Sequence, residues 1–399
     1  MNYYLASGLL FLNGYLHASF IEQTLGAAVV RDATAVYFNP GALTTISKPQ
    51  LILLGTLARS QFEFTGSVQQ IPLGLSESGS VMTQSKFALP SMYVSFPINS
   101  RFTGGFAVVA NDFNRELDEH SVLRYVQPRN QTNALDLVPA LGFKINEVIS
   151  LGGNLNITYA KLEQEPVSGG PRFNIPDSQS YNNSKAYSWG GDLGVLVQLA
   201  KTTTLGLNYR SAVTYPFRGT STRYNPQFIS ADNFNFKFWT PARTVISLSH
   251  FFNEHLGFIG TAQYLQWDIF KEAYIYNFVT QLGRNSFIVP QAQVNYYFHN
   301  SWLLTLGTIY NASPQWKVRV AGTYNQSPAN GRYQIGTGDS LTVGCSMGYQ
   351  MWDNMTVDFS YGHAFYQKEL INISGAQNII EGSNNGSHDA VSLKLTITA

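Results

Sequence analysis

Apolar and polar residues alternate with a period of two in short stretches from about Gln50 to the C-terminus. The alternation is clearest over 189–199, 204–210, 316–325, 355–362 and 391–398. Because successive side chains of a β-strand point to opposite faces, each stretch predicts a strand with one apolar face. With the weaker candidates included, the pattern predicts fourteen strands, over 50–65, 87–97, 101–113, 134–145, 148–162, 187–200, 203–215, 241–252, 255–270, 292–311, 315–325, 339–351, 354–366 and 388–398.

The links between these predicted strands are alternately very short and very long. Tight turns are predicted at 97–100, 146–147, 201–202, 253–254, 312–314 and 352–353, and polar links of roughly 12 to 25 residues include 66–86, 163–186, 216–240 and 367–387. Transmembrane β-barrels of bacteria have short turns at the periplasmic rim and long loops at the outer rim. A soluble β-sandwich or propeller does not explain the alternation. The sequence therefore predicts an all-β fold, a 14-stranded antiparallel transmembrane β-barrel in the outer membrane of a Gram-negative bacterium.

Composition supports this prediction. Charged residues make up 12% of the 399 residues, about half the usual share in soluble domains, and aromatic residues reach 14%. Beyond the N-terminal segment, no apolar run approaches the ~20 residues of a membrane-spanning helix. The net charge of +1 gives no reason to expect nucleic-acid binding.

The N-terminal part of the chain shows no clear alternation. Residues 1–18 are apolar and are either a signal peptide or additional plug residues. Residues 19–48 are predicted to form an N-terminal hatch, a plug inside the barrel formed by 49–399. A lumen fourteen strands wide is too large for wall side chains alone to fill, so a plug is physically sensible. Asn39-Pro40-Gly41 predicts a sharp bend in it.

The segment Gly26-Ala27-Ala28, followed by Asp32-Ala33-Thr34-Ala35-Val36-Tyr37-Phe38-Asn39-Pro40-Gly41-Ala42-Leu43, resembles the hatch signature of the outer-membrane long-chain fatty acid transporter family (FadL and its relatives for toluene and other aromatics). Further similar stretches follow in order at 89–93, 205–211, 264–270 and 361–363. The resemblance covers nearly the whole chain after Ser19. It implies a fourteen-stranded barrel with an N-terminal hatch and passive transport of long-chain fatty acids or similar hydrophobic small molecules.

Two departures from the family pattern affect the two places where movement is predicted, the hinge of the hatch and a lateral opening in the wall. The family's usual Ala-Gly order after Asn-Pro is reversed here, and Asn39, Pro40, Gly41 and Ala42 are the predicted hatch hinge. The family's third strand has an inward kink with a glycine, which makes a side opening. In 110–113 that glycine is missing, so Asn111 and Asp112 are the remaining candidates for interrupting strand pairing and making a lateral opening.

A fatty acid is an apolar tail with one carboxylate, so a binding path needs an apolar lining and one or two cationic partners. Burial of ten methylenes contributes about 8 kcal/mol before entropic costs. The candidate carboxylate partners are Arg101, Lys161, Arg210 and His299. The two arginines are alternatively wall or rim charges paired with acidic neighbours. Trp267 and Phe270 either line the ligand path or pack in the wall.

Enzymatic chemistry finds little support in the sequence. The seven histidines are scattered, without His-Glu-x-x-His or Gly-x-Ser-x-Gly patterns, and the single Cys345 forms no internal disulfide. We expect no catalytic residues, no metal and no cofactor. The expected partners are hydrophobic small molecules, outer-membrane lipid, lipopolysaccharide and, in vitro, detergent, with the chain a monomer. The alternatives are a surface adhesin or antigen barrel without specific transport and, third, an outer-membrane lipid enzyme.

Overall fold

A computed structural model describes residues 27–71, 74–115, 120–126, 129–170, 174–375 and 378–399. Residues 1–18, the possible signal peptide, and 19–26 of the predicted hatch therefore lie outside the described residues. The described hatch contains a 3-10 turn at Ala27–Val29, helix α1 at Ala35–Phe38 and a second 3-10 turn at Pro40–Thr45. Another 3-10 turn lies at Trp267–Ile269. No helix in the described parts of the chain has the length and apolarity needed to cross a membrane.

The remaining regular structure is a single large sheet and a short ribbon, β6, attached to it. The strand segments are β1 (Gln50–Gln70), β2 (Leu75–Pro97), β3 (Phe102–Arg115), β4 (Arg129–Lys144), β5 (Ile149–Glu165), β6 (Val167–Gly170), β7 (Ile175–Ala200), β8 (Thr203–Arg210), β9 (Val213–Arg223), β10 (Ile229–Thr240), β11 (Ala242–Phe251), β12 (Leu256–Gln266), β13 (Glu272–Leu282), β14 (Asn285–Asn295), β15 (Ser301–Asn311), β16 (Trp316–Asn325), β17 (Ser340–Trp352), β18 (Met355–Tyr366), β19 (Glu369–Ser374) and β20 (Asn378–Thr398).

The sheet closes into a barrel because β1 pairs with β2 on one side and with β20 on the other. Four transmembrane strands consist of two segments each, namely β8 with β9, β10 with β11, β13 with β12 and β14 with β15. The short segments β6 and β19 extend the sheet beyond the main strands. Counted in this way over the described residues, the barrel has fourteen antiparallel strands, and the predicted fold is confirmed.

The long polar links expected at the outer rim are wrong in their extent. β1 continues to Gln70 and β2 begins at Leu75, so most of 66–86 is strand. The same is true of 163–186, 216–240 and 367–387, which contain strand segments up to the hairpin tips. Beyond the membrane both faces of a strand meet water, so the hydrophobic alternation fades although the backbone ladder continues.

The outer face of the barrel is apolar across its middle. On β7, Tyr187 and Trp189 are 73% and 76% exposed, whereas the intervening Ala186 and Ser188 point inward and are buried. This inside-out arrangement is expected for a wall whose outer face contacts lipid.

Four adjacent strands of the wall are interrupted at about the same level. The breaks lie at Ser211–Ala212, Pro241, 267–271 and 296–300. Pro241 has no N–H to donate to a ladder, which accounts for one of them. The breaks turn several aromatic side chains into the lumen.

The ladder between β2 and β3 is short. It joins Ser91–Pro97 to Thr103–Val109, while the rest of β2 pairs only with β1 and the rest of β3 only with β4, within the described residues. Pro90, which lacks a donor, stands where the ladder ends. The wall therefore has an unpaired seam above Ser91 and Val109.

Candidate functional site

The hatch, here residues 27–46, lies inside the barrel near the rim that carries the short turns. It packs against the inner faces of β3, β4, β5, β7, β8 and β11. The α1 side chains Val36, Tyr37 and Phe38 are at most 1% exposed and form a core with inward residues of the wall. The hatch is therefore bound to the wall along its length and does not hang free.

Asn39 fixes the bend of the hatch. Its side chain is fully buried, and its Nδ2 donates to the carbonyl oxygens of Ala28 (2.7 Å) and Val195 (3.1 Å). Its Oδ1 accepts from the N–H of Gly41 at 3.0 Å and so caps the turn at Pro40–Thr45. One side chain thus joins both halves of the hatch to β7.

Inward-facing glycines of the wall make this close approach possible. A Cβ at Gly152 would lie 2.2 Å from the carbonyl carbon of Pro40, and one at Gly194 would lie 2.0 Å from Oδ1 of Asn39. Any side chain there would displace the hatch backbone. Two further glycines lie equally close to hatch atoms, Gly105 and Gly206.

We predict that Gly152→Ala loosens the hatch, since the added methyl overlaps backbone that has no room to move, at a cost of about 1–3 kcal/mol. The matched control is Gly153→Ala, where the nearest atom would be 3.5 Å away. Ion conductance through planar bilayers should rise for Gly152→Ala and stay at the wild-type level for Gly153→Ala. Equal conductance of the two variants would contradict this account of the glycines.

Charged residues hold the N-terminal part of the described hatch against the barrel wall. Nζ of Lys394 lies 3.1 Å from Oδ2 of Asp32, and Nη2 of Arg31 donates to Oγ1 of Thr204 at 2.7 Å. Burial acts to raise the pKa of the Asp32 carboxyl, but Lys394 and hydrogen bonds from Thr34 outweigh it and hold the pKa below its ordinary value. Because the folded-state pKa is lowered, this stabilisation is present above pH ~4 and is lost as the pH falls through the lowered value.

A buried ion pair holds the other side of α1. Nε and Nη2 of Arg210 lie 2.7 Å and 2.9 Å from the two carboxylate oxygens of Asp192. The same guanidinium donates to the carbonyl oxygen of Tyr37 and lies 4.1 Å from its ring centroid. Asp136 accepts hydrogen bonds from the hydroxyl of Tyr37 and from Asn111. Arg210 is therefore committed to the hatch.

We predict that Arg210→Gln destabilises the folded barrel by about 3–5 kcal/mol, because it leaves the fully buried carboxylate of Asp192 without its cation. The double variant Arg210→Gln, Asp192→Asn should recover much of that loss. Urea unfolding in detergent micelles measures both. Additive losses in the double variant would show that the pair is not the source of the effect.

An apolar cluster fills the lumen beside the four wall breaks. We call it the lumen aromatic cluster. Phe270 stacks on Tyr296 with ring centroids 4.4 Å apart and meets Phe238 edge-on at 5.1 Å. The cluster comprises Ala160, Leu162, Ala186, Phe217, Phe234, Phe236, Phe238, Leu265, Trp267, Phe270, Ala273, Ile275, Phe278, Val289, Ala292, Val294, Tyr296 and Phe298. These side chains are buried against one another, so an apolar chain that separated them would meet an apolar lining on every side.

Three segments cover the outer mouth of the barrel. The turn at 120–126 inserts Val122 and Leu123 beside Ile335 of the 326–339 segment in a second apolar cluster. Arg124 in that turn donates to Glu77 of β2 at 2.8 Å and to Asp177 of β7 at 3.0 Å. The β13–β14 hairpin leans inward as well, since Val279 exchanges hydrogen bonds with hydroxyls of β7 and β9.

On the periplasmic side of the hatch the lumen contains a cavity of about 680 Å³ that is lined by both apolar and charged side chains. Its charged lining consists of four cations and three carboxylates, namely Arg31, Lys317, Arg319 and Lys394 with Asp32, Glu254 and Asp358. Arg319 and Lys394 lie 3.4 Å and 3.9 Å from oxygens of Asp358. The side chain of Lys317 forms no hydrogen bond or ion pair among the described residues. The lining therefore has one more Lys or Arg side chain than it has carboxylates, and Lys317 is the cation with neither an ion pair nor a hydrogen bond among the described residues.

A family model described as "Outer membrane protein transport protein (OMPP1/FadL/TodX)" matches residues 24–399. The chain belongs to this family. It is an outer-membrane transport protein for hydrophobic compounds and not an enzyme. The prediction of family, membrane and general activity is thus confirmed.

Individual relatives in the OMPP1/FadL/TodX family are distant in sequence. Outer membrane protein P1 of Haemophilus influenzae is 21% identical over 380 residues, which cover 84% of this chain and 81% of the relative. The long-chain fatty acid transport protein of Escherichia coli O6:H1 is 22% identical over 376 residues, which cover 86% and 83%.

Solved structures show the same fold. A Pseudomonas aeruginosa FadL homologue has a TM-score of 0.84 at 18% identity, with 97% of this chain and 99% of that one covered. The Pseudomonas putida toluene transporter TodX has a TM-score of 0.67 at 14% identity, with 95% and 97% covered.

The structure separates the predicted carboxylate partners. Arg101 lies exposed on the short turn between β2 and β3, where its N–H donates to Asn99. Lys161 points to the outside of the barrel and pairs with Glu163, because its odd position on β5 is opposite in direction to buried Ala160 and Leu162. His299 is exposed, on the opposite face from buried Phe298. These three do not meet in the lumen, because alternation along β5 turns Lys161 outward, Arg101 lies on a turn at the rim and His299 lies in a wall break with its side chain exposed.

The other predicted residues lie closer to their expected places. Trp267 and Phe270, 6% and 1% exposed, belong to the lumen aromatic cluster. Asn111 points inward and donates to Asp136, whereas Asp112 is on the opposite face of β3. Both lie in the part of β3 that does not pair with β2, while their pairing with β4 is regular.

The cavity cations Lys317, Arg319 and Lys394 were missed as candidates. A signal for them existed, because Lys317 and Arg319 occupy the polar face of a strand that alternates clearly, and in a transmembrane barrel the polar face lines the lumen. Their meeting with Asp32 of the hatch depends on strand order and hatch position, which periodicity does not encode.

Proposed function

We propose that this chain moves long-chain fatty acids, or closely similar amphiphiles, passively through its lumen and that the hatch gates the passage. The observation that carries the proposal is the lumen aromatic cluster, a packed group of apolar side chains inside a transport barrel that is closed below by the hatch. Burial of ten methylenes against such a surface contributes about 8 kcal/mol before entropic costs, which approaches micromolar binding. No energy source is needed if ligand moves down its own gradient.

The cationic cavity favours an acid over a neutral hydrocarbon. Lys317 has no counter-ion of its own and lies beside Arg319 and Lys394, in a lining that has four Lys and Arg side chains and three carboxylates. A neutral aromatic compound gains nothing from this arrangement. The name of the Escherichia coli relative points to fatty acids and that of the Pseudomonas putida neighbour to toluene. The charge of the cavity is our reason to propose the former.

The unpaired seam between β2 and β3 is the proposed lateral opening. Its position beside Asn111 follows from the early end of the ladder at Val109. The seam lies at the outer side of the hatch, so a ligand that leaves the lumen there would reach lipid without passing the hatch. We propose it as a second exit for apolar cargo.

We predict that Lys317→Gln with Arg319→Gln weakens oleate binding by about 1.5–3 kcal/mol, roughly tenfold or more, because charged hydrogen-bond partners of the carboxylate are removed. Binding of a neutral alkylbenzene should not change. Titration of both compounds into the purified protein, with uptake in a strain that lacks its own transporter, measures this. If the wild type neither binds nor takes up oleate, transport of fatty acids is refuted and the adhesin alternative gains support.

Hatch gating has a direct test. Oγ1 of Thr44 and Oγ of Ser150 are 2.7 Å apart, so Thr44→Cys with Ser150→Cys should allow a disulfide between the hatch and β5. Cys345 is exposed and is first replaced by serine. We predict that oxidation stops uptake and that reduction restores it.

The matched control joins two wall strands without touching the hatch. Oγ1 of Thr305 and Oγ1 of Thr323 are 2.9 Å apart on β15 and β16, so Thr305→Cys with Thr323→Cys gives a wall disulfide. Its oxidation should leave uptake unchanged. Full uptake through the crosslinked hatch would rule out movement at the Asn39–Ala42 bend as the gate.

A further inference from the structure

Three basic side chains form a continuous row on the outer face of the barrel. Lys161 of β5 stands directly opposite Lys185 of β7, and Lys185 stands directly opposite Arg218 of β9. All three point away from the lumen, since their neighbours Leu162, Ala186 and Phe217 are buried inside. Lys237 of β10 is exposed on the same face, two positions along from Asn235, the partner of Arg218. We call these four residues the outer basic row.

Like charges directly opposite each other on neighbouring strands destabilise a sheet. Within the row only Lys161 has a counter-ion, Glu163 on its own strand. The side chains of Lys185 and Arg218 form no ion pair or hydrogen bond among the described residues. The fold therefore concentrates positive charge here without neutralising it, and an external anion would relieve the repulsion.

The level of the row in the membrane identifies the anion. On the membrane side of the row lie Tyr159 and Tyr187, with ring centroids 5.1 Å apart, followed by the exposed Trp189. Aromatic side chains of this kind mark the boundary between hydrocarbon and head groups. The row stands on the opposite side of them from the periplasmic turn at 145–148, so it faces the head groups of the outer leaflet.

A second pair of basic residues on the outer face of the barrel has an acidic residue on the neighbouring strand. Lys86 of β2 stands opposite Arg59 of β1, but Arg59 in turn stands opposite Asp389 of β20. Asp389 also accepts from Nδ1 of His363 at 2.7 Å. This second site carries its own anion, so it serves as a control for the outer basic row.

We propose that the outer basic row binds the phosphate groups of a phosphorylated glycolipid of the lipid A type in the outer leaflet. Clusters of Lys and Arg next to a membrane attract anionic head groups, and Arg218 adds a planar donor pair suited to phosphate. The aromatic residues below the row contact the acyl chains of the same lipid. The inference rests on the outer-membrane location of the barrel and is independent of the compound that it transports.

The test compares the wild type with Lys161→Gln, Lys185→Gln, Arg218→Gln and with the control Arg59→Gln, Lys86→Gln, all in a nonionic detergent. Thermal unfolding is followed as bisphosphorylated lipid A is added, and in parallel with lipid A that lacks both phosphates and with inorganic phosphate. We expect bisphosphorylated lipid A to raise the unfolding midpoint of the wild type and of the control. The apparent affinity should fall by about tenfold or more in the triple variant.

Lipid-free protein provides a second readout. Because neutralisation removes the repulsion in the row, the triple variant should unfold at the same temperature as the wild type or higher when no lipid is present. If the triple variant does not fold, Lys185→Gln and the charge-conserving Lys185→Arg are compared instead by native mass spectrometry of bound lipid A, with loss of lipid expected only for the first. An equal response of wild type and triple variant to lipid A, or an equal response of the wild type to the dephosphorylated lipid, would overturn the proposal.

Discussion

Every backbone N–H and C=O of this chain that enters hydrocarbon must find a partner in the chain itself. The pairing of β1 with β20 answers this requirement for the two ends of the sheet, because it closes the barrel and leaves neither the first nor the last strand as a free edge. Closure in turn determines the rest of the structure. It gives each strand an outer face for lipid and an inner face for a lumen that fourteen strands make too wide for wall side chains to fill.

The hatch fills that space, and its fit depends on missing side chains as much as on present ones. Gly152 and Gly194 allow the hatch backbone to approach the wall so closely that even a methyl group would collide with it. Asn39 uses the proximity to bond with Val195 and Ala28 at once. The glycines of the wall and the bend capped by Asn39 therefore determine where the hatch lies. The ion pairs Asp32–Lys394 and Arg210–Asp192 stabilise it there.

The basic side chains of this protein are of two kinds, those that have an anionic partner in the chain and those that have none among the described residues. Arg210 is fully engaged with Asp192 and the hatch, as expected for a cation out of contact with bulk water. Lys317 in the cavity, and Lys185 and Arg218 on the outer face, have no partners of their own among the described residues. Cations that bind ligand are expected among the second kind, because a carboxylate or phosphate then completes an arrangement that the protein leaves unfinished.

The sequence by itself determined the fold class, the fourteen strands, the hatch and its bend at Asn39-Pro40, because these follow from local periodicity, turn chemistry and a resemblance in residue order. It also determined which face of each clear strand a residue occupies. The rule of alternation, applied to Lys161, would have placed it on the outer face. What only the tertiary structure decided is which residues meet across the barrel: Arg210 with Asp192 and Tyr37, Lys394 with Asp32, and Phe270 with Tyr296. These contacts depend on register, wall breaks and closure. Such long-range geometry joins residues far apart in the chain and leaves no local pattern.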